Sequence, residues 1–517
     1  MRKLLPILMG CVLACMLFVF AGCNYDPSEP PGSGTEQPEN PDPKPTPEPE
    51  SDSIEGFNLA KTPATINIVT DSGEPIAGDP RNQPYFDCTV SVENGREGED
   101  FTGERGKVRV RGNNTAGYDK KSFRLKFDQK VNLLGLNDGM KFKNWVLLAC
   151  YKDVSFLRDA VMFELGKQSL AENGYYASDY GYAEVTINGQ YNGFYMVAEQ
   201  QQVNKNRVNI DEPDEGYTGN DIGYFIEYDG NAPMTEEVGS YFRIRYKNSN
   251  DPEYDFPILC EDGTTRYPEQ WENMGAAFYT VKNDFYAPSQ VEFIKNYVEK
   301  AFKIVYDAVQ KNEYTKFDEE YSEIVAAEYT DSRSTVEAVV DIDALVDSYI
   351  IAEVACDNDL DFSSWFFTVD MSENGSKKIV FHAPWDSDSG FGMMNGLERL
   401  DDIFAANSRT NAAKALNPWT SVFFKADWFK QAVAERWAEL KSKGAFDRTI
   451  ELIDKVTSAY KSYFDKNYEK WDNLGKIVDP VQSDTLKTFR SHADAAEYLK
   501  NWLSHRIEFL TEYFGAI

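Results

Sequence analysis

The sequence predicts an α+β fold, in which a strand-rich N-terminal part is followed by a helical C-terminal part. Between residues 55 and about 230, short β-branched and aromatic runs alternate with Gly, Asn and Asp, as is typical of strands and their turns. From about residue 287 onward, apolar residues recur at helical spacing. The chain has 517 residues, of which 42% are hydrophobic, so it can bury a large core.

The N-terminus has the features of an export signal. Met-Arg-Lys precedes an apolar run from Leu4 to Gly22, which is followed by Cys23. We interpret residues 1–23 as a bacterial lipoprotein signal peptide, with Cys23 as the lipidated residue. The alternative is an uncleaved membrane span, since about 19 apolar residues can just cross a bilayer, and Phe20 replaces the aliphatic residue usual three places before such a cysteine. The absence of a basic stop-transfer cluster after Cys23 favours the lipoprotein.

Residues 24–54 consist mainly of Pro, Glu, Asp, Ser and Gly. Such a composition cannot bury enough apolar surface to fold, so we expect an extended, disordered linker. It would hold the globular part away from the membrane. The expected location is therefore the bacterial cell envelope, with the exported protein held by its lipid anchor at the outer membrane or cell surface.

Eight strands and one helix are predicted between residues 55 and 230. The helix extends from Ser155 to Ser169, and Asp153 is its expected N-cap. The strands are TINIVT, FDCTVSV, KVRVRG, SFRLKF, NWVLLA, AEVTING, GFYMVAEQ and GYFIEY.

Helices dominate the rest of the chain. A hairpin with Glu-Asn-Gly as its turn is predicted within WFFTVDMSENGSKKIVF. We divide the globular part into a main domain over residues 55–400 and a helical region over residues 401–517 that packs on it. The predicted helices cover residues 287–311, 341–356, 428–440, 449–468 and 494–513.

The formal net charge is −32, from 85 acidic and 53 basic residues, so nucleic acids and anionic membrane surfaces would be repelled. We therefore expect no nucleic-acid partner, and membrane contact only through the lipid anchor. Beyond Cys23 the cysteines lie far apart, at positions 88, 150, 260 and 356, and no CxxC pair suggests a zinc site. Cys150 and Cys356 have apolar neighbours, which favours buried free thiols, although export permits disulfides.

Two acidic segments flank the predicted hairpin. Asp357, Asp359 and Asp361 follow a helix, and Asp386 and Asp388 follow the second strand in HAPWDSDSGFG. Because a hairpin returns the chain close to its starting point, these carboxylates can converge. Converging carboxylates repel each other unless a cation neutralises them, and Mg²⁺ with a phosphate ligand fits this pattern. The alternative is that Asp386 caps a turn and Asp388 is solvated, since DxD is frequent in loops.

A basic segment, VRVRGNNTAGYDKKSFRLKF, stands out in this acidic chain. Arg109 and Arg111 alternate along a strand, a Gly- and Asn-containing loop follows, and Lys120 and Lys121 open the next strand. A small-residue loop beside a strand lysine can cradle phosphates. The alternative is a hairpin with solvated basic residues, and neither a Walker A motif nor a typical glycine-rich kinase motif is present.

Nucleophilic hydrolysis finds little support. The histidines are His382, His492 and His505, no Gly-x-Ser-x-Gly elbow occurs, and a lone strand histidine such as His382 is more often structural. Carbohydrate hydrolysis by two carboxylates stays open, since it requires only a suitable separation across a cleft. Arg158 and Glu164 lie six residues apart on the predicted helix, so we expect them to face different neighbours.

Six blocks occur in order along the chain: RGN-x2-AGYDKKSFRLKF, NWVLLACYKDVSFLRDAVMFEL, VTINGQYNGFYMVAEQ, GYFIEYD, EVACDNDLDFSSWFF and FHAPWDSDSGFG. Together they resemble the CotH kinase family, relatives of the spore-coat protein H kinase. The resemblance covers roughly residues 60–400 and extends loosely through the C-terminal helices. It implies an atypical, much-reduced protein-kinase-like fold, with ATP between a strand-rich N-terminal lobe and a helical C-terminal lobe.

The resemblance also implies residues that bind ATP. Lys121 matches the family's phosphate-facing basic strand, and Arg111 begins the loop before it. Tyr195 and Ala198 match the segment that connects the lobes, so they would lie near the adenine.

The acidic segments match the family's catalytic residues. Asp359 corresponds to the catalytic aspartate, and Asp386 to the ligand of Mg²⁺ or Mn²⁺, with Asp388 assisting it. Asp357 stands where the family usually has Asn, and this extra charge either strengthens metal binding or disfavours the phosphates. The implied activity is ATP-dependent phosphorylation of Ser or Thr on an exported or surface protein.

A second function fits the same scaffold. A lipid-anchored exported protein works where ATP is scarce, and affinity cannot compensate for an absent co-substrate. The alternative is therefore a catalytically inactive lipoprotein that binds a partner or glycan at the cell surface, where aromatic residues, 14% of the chain, would provide contacts.

Overall fold

The computed structural model describes residues 52–248, 250–259, 263–267, 278–407 and 416–517, with the backbone alone for residues 358 and 361. The predicted signal peptide, Cys23, most of the predicted linker and Cys260 lie outside the described residues. From Ser51 to Ile517 the chain forms one compact unit. Among the helices described, none has the length and apolar character needed to cross a lipid bilayer.

A closed seven-stranded barrel forms the N-terminal part of this unit. Its strand order is β1-β2-β3-β4-β5-β7-β6, and β6 closes the barrel as the parallel neighbour of β1, with Ile66 opposite Val185. The other neighbours are antiparallel. The strands are β1 (Ala64–Thr70), β2 (Phe86–Glu93), β3 (Phe101–Arg111), β4 (Ser122–Val131), β5 (Phe142–Leu148), β6 (Tyr180–Ile187) and β7 (Gln190–Glu199).

Strand β7 is buried on both of its faces. Tyr195 and Val197 belong to the core inside the barrel, whereas Phe194, Met196 and Ala198 belong to the larger core outside it. Since successive side chains of a strand point to opposite faces, a strand between two cores reads as one continuous apolar run. This explains the apolar character of the GFYMVAEQ segment. The seven sequence runs predicted as strands between TINIVT and GFYMVAEQ are confirmed, since each forms a strand of the barrel.

A five-stranded sheet with the order β16-β15-β8-β12-β9 lies beyond the barrel in the chain. It contains the predicted hairpin, in which β15 pairs antiparallel with β16 and Phe367 faces Phe381. Two-stranded sheets are formed by β10 with β11 and by β13 with β14. These strands are β8 (Gly223–Tyr228), β9 (Tyr241–Arg243), β10 (Ile258–Leu259), β11 (Thr265–Arg266), β12 (Phe278–Val281), β13 (Thr315–Phe317), β14 (Ile324–Ala326), β15 (Trp365–Asp370) and β16 (Ile379–Phe381).

Helices fill most of the C-terminal part. The single helix predicted for residues 449–468 is wrong, because the chain breaks at Tyr460, whose ring packs on Tyr182 and Phe194 and whose hydroxyl donates to the carbonyl of Ala60. The helices are α1 (Arg158–Gln168), α2 (Ala232–Thr235), α3 (Pro288–Tyr306), α4 (Ser332–Glu337), α5 (Ile342–Ala355), α6 (Pro418–Phe423), α7 (Asp427–Ser442), α8 (Ala445–Ala459), α9 (Lys461–Lys470) and α10 (His492–Gly515).

The start of α1 and the end of α5 position residues of the acidic segments. Helix α1 begins at Arg158, later than predicted, and its N-cap is Leu157, so the prediction of Asp153 as the N-cap is wrong. The Asp153 carboxylate nevertheless accepts from the N–H groups of Leu157 and Arg158. Helix α5 ends at Ala355, and the left-handed backbone of Cys356 (φ 47°) after it turns the chain into the first acidic segment. Within the described residues, Cys88, Cys150 and Cys356 are free thiols. The prediction of buried free thiols is confirmed for Cys356, whereas Cys150 is free but only partly buried.

Acid should destabilise the fold partly through His492. Its ring stacks on Phe464 with 3.6 Å between centroids, its Nε2 donates to the carbonyl of Ser155, and burial lowers its pKa to about 4. The unfolded chain takes up this proton near pH 6.5 and the folded chain only near pH 4, so stability falls as the pH drops through that window. The histidine contributes up to about 3 kcal/mol to this loss.

His492→Gln keeps a donor for Ser155 and removes the titration. We expect urea unfolding at pH 7 to change little in this variant, and the loss of stability between pH 6.5 and pH 4 to be smaller than in the wild type. His505→Gln is the matched control, since His505 lies on the same helix and is partly exposed. Equal pH slopes for wild type and His492→Gln would contradict the prediction.

Candidate active site

The two acidic segments meet, as the hairpin predicts. Asp357 and Asp359 follow α5, Asp386 and Asp388 follow β16, and the hairpin β15–β16 joins the two segments. Asp357, Asp359 and Asp386 line one cavity, and Asp388 lies close enough to influence the charge of all three. The side chain of Asp361 lies outside the described residues.

The loop that carries Asp386 and Asp388 is fixed by helix α1. The N–H of Ser387 donates to the Asp159 carboxylate at 2.8 Å, and Arg158 Nε donates to the carbonyl of Gly390 at 3.2 Å. Arg158 is fully buried and pairs with Asp153 at 2.5 Å, whereas Glu164 on the same helix pairs with Arg448. Arg158 and Glu164 therefore face different neighbours, as predicted.

Asp386 has a left-handed backbone, with φ 63°. Non-glycine residues adopt this conformation rarely, although Asp and Asn do so more readily than others. A conformation of this kind persists when the surroundings fix it and is concentrated at functional sites. Its neighbour Ser387 is anchored to α1, so the loop holds the Asp386 carboxylate in a defined place beside the cavity.

Lys152 provides a positive charge within the cluster. It lies between β5 and α1 with only 7% of its surface exposed, and its Nζ is 2.6 Å from Asp388 Oδ1 and 2.5 Å from Ser389 Oγ. Burial alone would lower the pKa of Lys152, but Asp388, Asp359 and Asp386 hold it well above its usual value. Sequence analysis missed this residue, because a single lysine in ACYKDVS follows no spacing rule.

Burial raises the pKa values of several carboxyl groups in and beside the cluster. Burial, followed by the charge of Asp388, raises the pKa of Asp386 to about 7. Burial also raises the pKa values of Asp357 and Asp159 well above the usual range, with further increases from Asp359 and Asp388, respectively. A site of this kind is a candidate for acid–base chemistry or for binding a cation.

The cavity measures about 510 Å³, part of it open to solvent. Apolar side chains from α1, α5, β15 and the Trp385 loop form most of its wall, among them Met162, Ile351, Trp365 and Trp385. His382 also lines it, but Nδ1 accepts from the N–H of Tyr176 and burial lowers the pKa of this histidine to about 4. The histidine is thus a neutral structural residue, as predicted.

Neither Arg111 nor Lys121 lines the cavity, but Arg111 lies within range of the charge of Asp386. Arg111 ends β3, its guanidinium lies 5.6 Å above the Trp385 ring, and Asp386 is the carboxylate with the largest effect on its charge. The Lys121 ammonium donates to the carbonyl of Ala116 at 2.8 Å, in the loop between β3 and β4. The role of Lys121 toward phosphate stays a prediction.

Tyr195 and Ala198 are fully buried in β7. The Tyr195 hydroxyl accepts from Asn192 Nδ2 and donates to the carbonyl of Lys121, which ties β7 to the start of β4. Ala198 pairs with Val146 of β5 and packs in the outer core. Neither residue lines the cavity beside the carboxylates, so their contact with adenine stays a prediction.

The donor chemistry of the cluster suits Mg²⁺ or Mn²⁺, which bind carboxylate oxygens. Asp357 Oδ2 is buried and has no hydrogen-bond partner among the described residues. Yet no three His, Cys, Asp or Glu side chains in the described ranges lie close enough together to hold a metal ion. Lys152, rather than a third carboxylate, lies at Asp388. One or two carboxylates, completed by water and phosphate oxygens, are the usual ligands of Mg²⁺, so Asp386 and Asp388 fit the cation in their chemistry, although Lys152 pairs with Asp388.

Fold and site together define an α+β protein that combines a barrel, a helical C-terminal part and carboxylates that converge on one cavity. A family model described as CotH kinase protein (CotH) matches residues 108–510. The chain therefore belongs to the CotH kinase family, which suggests an atypical kinase-like function. The match begins later than the resemblance noted above and includes nearly all of the C-terminal helices. No curated protein matches the chain.

Proposed function

We propose that this protein is an atypical kinase that transfers phosphate from ATP to Ser or Thr of an exported or surface protein, with Mg²⁺ or Mn²⁺. The observation that carries the proposal is the convergence of Asp359 with Asp386 on one cavity, in a chain of the CotH kinase family. Phosphoryl transfer depends mainly on positioning and electrostatic stabilisation, so convergent carboxylates and nearby cations are the parts that it requires.

Asp359 is the proposed catalytic residue. Its carboxylate would accept a hydrogen bond from the acceptor hydroxyl and take its proton during transfer. Burial raises its pKa, Lys152 opposes this effect and Asp388 adds to it, and the net increase makes it a stronger base than a solvated aspartate. Because Asp359 lines the cavity, a hydroxyl placed there could reach it.

Asp386 and Asp388 are the residues that would hold the divalent cation. A bound cation would neutralise charge on the phosphates and orient them. Arg111 would contribute a second positive group near Asp386, and the loop before Lys121 would supply N–H groups to phosphate oxygens. Lys121 would bind phosphate as well, a role that rests on the family resemblance. The role of Arg111 rests on its position near Asp386.

The proposal is tested by transfer of labelled phosphate from ATP, using residues 54–517 with Mg²⁺ or Mn²⁺. Asp386→Asn suits this test better than alanine, because Asn tolerates the left-handed backbone that Asp386 adopts. We expect the wild type to incorporate label and Asp386→Asn to lose about 100-fold or more, since a bound cation contributes several kcal/mol to transfer.

Asp71→Asn is the matched control for this test. Asp71 forms an exposed pair with Arg105 on the barrel, so its replacement should leave transfer unchanged. Absence of label with the wild type, together with no stabilisation by nucleotide in thermal unfolding, would contradict the kinase proposal.

A catalytically inactive surface binding protein is the second candidate. The observation that favours it is Lys152, whose ammonium already neutralises Asp388, together with the lack of a three-ligand metal group among the described residues. On this alternative the carboxylates would be part of a stable scaffold, and the apolar cavity wall would serve recognition. Wild-type protein that binds neither nucleotide nor cation would support it.

Attachment to the cell envelope completes the proposal. We propose that residues 1–23 direct export and that Cys23 carries lipid, so the acceptor would be another exported protein. Mass spectrometry of the membrane fraction should then find a lipidated N-terminal peptide that begins at Cys23. Replacement of Cys23 by Ser should release the protein from that fraction.

A further inference from the structure

Lys152 is fixed by contacts of both its side chain and its backbone. Its Nζ contacts Asp388 Oδ1 at 2.6 Å and donates to Ser389 Oγ at 2.5 Å, while its carbonyl accepts from Gln482 Nε2 at 3.2 Å. Only 7% of the residue is exposed, compared with 17% of the Asp388 side chain. Lysine rarely adopts so buried a position without a charged partner, and here that partner is a proposed cation ligand.

The charges that face Lys152 are mostly negative. Asp388, Asp359 and Asp386 all stabilise its ammonium, and Asp357 also lies within range of its charge. Lys152 is therefore the internal cation of the cluster in the protein as it stands. Arg111 is the other positive group close to Asp386.

Lys152 and a divalent cation would bind the same carboxylate, that of Asp388. The ammonium contacts Oδ1 of Asp388, and two positive groups at one carboxylate repel each other strongly where little water intervenes. The ligand set also lacks a third carboxylate in the described chain that could compensate for this repulsion. Binding of the cation thus carries the cost of moving Lys152.

We infer that Lys152 is an internal competitor of the divalent cation: its ammonium pairs with Asp388, and Mg²⁺ or Mn²⁺ binds the acidic cluster only when the Lys152 ammonium releases Asp388. The inference deepens the proposed function, because it shares the assumption that Asp386 and Asp388 bind a cation, but it does not depend on phosphate transfer. It assigns Lys152 a role in setting cation affinity.

A purely structural role for Lys152 predicts the opposite result. If the lysine only ties the Asp388 loop to the segment before α1, its removal would loosen the ligands and weaken cation binding. Competition predicts tighter binding on removal of the positive charge. The sign of the change in affinity therefore separates the two roles.

The experiment measures Mn²⁺ binding to the full-length chain without nucleotide, by electron paramagnetic resonance of free Mn²⁺. We expect Lys152→Met to bind Mn²⁺ about tenfold more tightly than the wild type or better, which corresponds to about 1.4 kcal/mol. Lys152→Arg keeps the positive charge and should bind like the wild type. Asp386→Asn in the Lys152→Met background should lose the gain, which would locate the ion at the cluster.

Lys167→Met is the matched control for overall charge. Lys167 pairs with Asp179 away from the cluster, so this variant removes one lysine from another partly buried pair. It should bind Mn²⁺ like the wild type. Circular dichroism and thermal unfolding check that each variant is folded, and Lys152→Gln, which is neutral but can still donate to Ser389, replaces Lys152→Met if the latter fails to fold.

Equal or weaker Mn²⁺ binding by the folded neutral variant would overturn the inference, as would the absence of binding in every variant. Failure of the proposed function gives a different pattern. If the wild type transfers no phosphate while Lys152→Met still gains Mn²⁺ affinity that Asp386→Asn removes, the kinase proposal fails and the competition stands.

Discussion

Replacement of Asp359 by asparagine should lower the rate of phosphate transfer by a factor of about 10²–10⁴, the usual contribution of a positioned general base. Asparagine has the same shape but cannot take the proton of the acceptor hydroxyl. The backbone should stay in place, because the carbonyl of residue 359 accepts from the N–H groups of Phe362 and Ser363, and its N–H donates to Asp357. Single-turnover assays at saturating ATP should show the loss in the transfer step.

Asp357→Asn is the matched control, since it makes the same chemical change two residues earlier. Asp357 Oδ1 accepts from the N–H of Asp359 at 2.7 Å, and an asparagine carbonyl can do the same. Burial raises the pKa of Asp357 well above its usual value, so a neutral side chain suits this position. We expect Asp357→Asn to retain transfer. Equal losses in the two variants, or none in Asp359→Asn, would remove Asp359 from the proposed catalytic role.

The strands of the barrel could be predicted from local sequence, but the closure of the barrel could not. In β3, Val108 and Val110 alternate with Arg109 and Arg111, and this two-residue period is visible without any structure. Closure depends on the parallel pairing of β1 with β6, which joins residues more than a hundred positions apart. No local pattern encodes a contact of that range.

Site residues could likewise be predicted from the sequence only where a local pattern brings them together. Asp359 and Asp386 are joined by a short hairpin, so their convergence follows from a local turn. Lys152 lies between β5 and α1, Asp159 lies in the first turn of α1, and both meet the Asp386 loop only through the packing of this part of the chain against it. The cation of the cluster and the anchor of its loop therefore became visible only in the structure.

Lys120 and Lys121 lie immediately before β4, not at its start as predicted, and their side chains have different surroundings. Lys120 points inward, where its ammonium donates to the carbonyls of Ala149 and Phe194, and burial lowers its pKa to about 7. Lys121 points to the loop and contacts Ala116. Because both lysines precede the strand, the two-residue alternation of strand side chains does not apply to them, and the sequence does not show which of them is buried.

Removal of the buried Arg506 side chain should destabilise the protein by about 3–5 kcal/mol. Arg506 on α10 pairs with Glu353 on α5, and both side chains are fully buried. The guanidinium also donates to the carbonyls of Glu353, Leu400 and Asp402. Arg506→Met would leave a buried carboxylate without its counter-ion and several carbonyls without a donor. Urea unfolding should show the loss as a lower midpoint. A loss of about 3–5 kcal/mol is a large part of a typical free energy of unfolding of about 5–15 kcal/mol.

Lys500→Met on the same helix is the control for this prediction. Lys500 pairs with Asp454 at 2.6 Å, but the pair is partly exposed, so its loss should cost about 1 kcal/mol or less. Adding Glu353→Gln to Arg506→Met should recover part of the stability, because the glutamine leaves no unpaired buried charge. A loss for Arg506→Met no larger than for Lys500→Met would show that the pair is dispensable.

Because α5 leads directly into Asp357 and Asp359, a destabilised α5–α10 contact should also loosen the carboxylates of the candidate site.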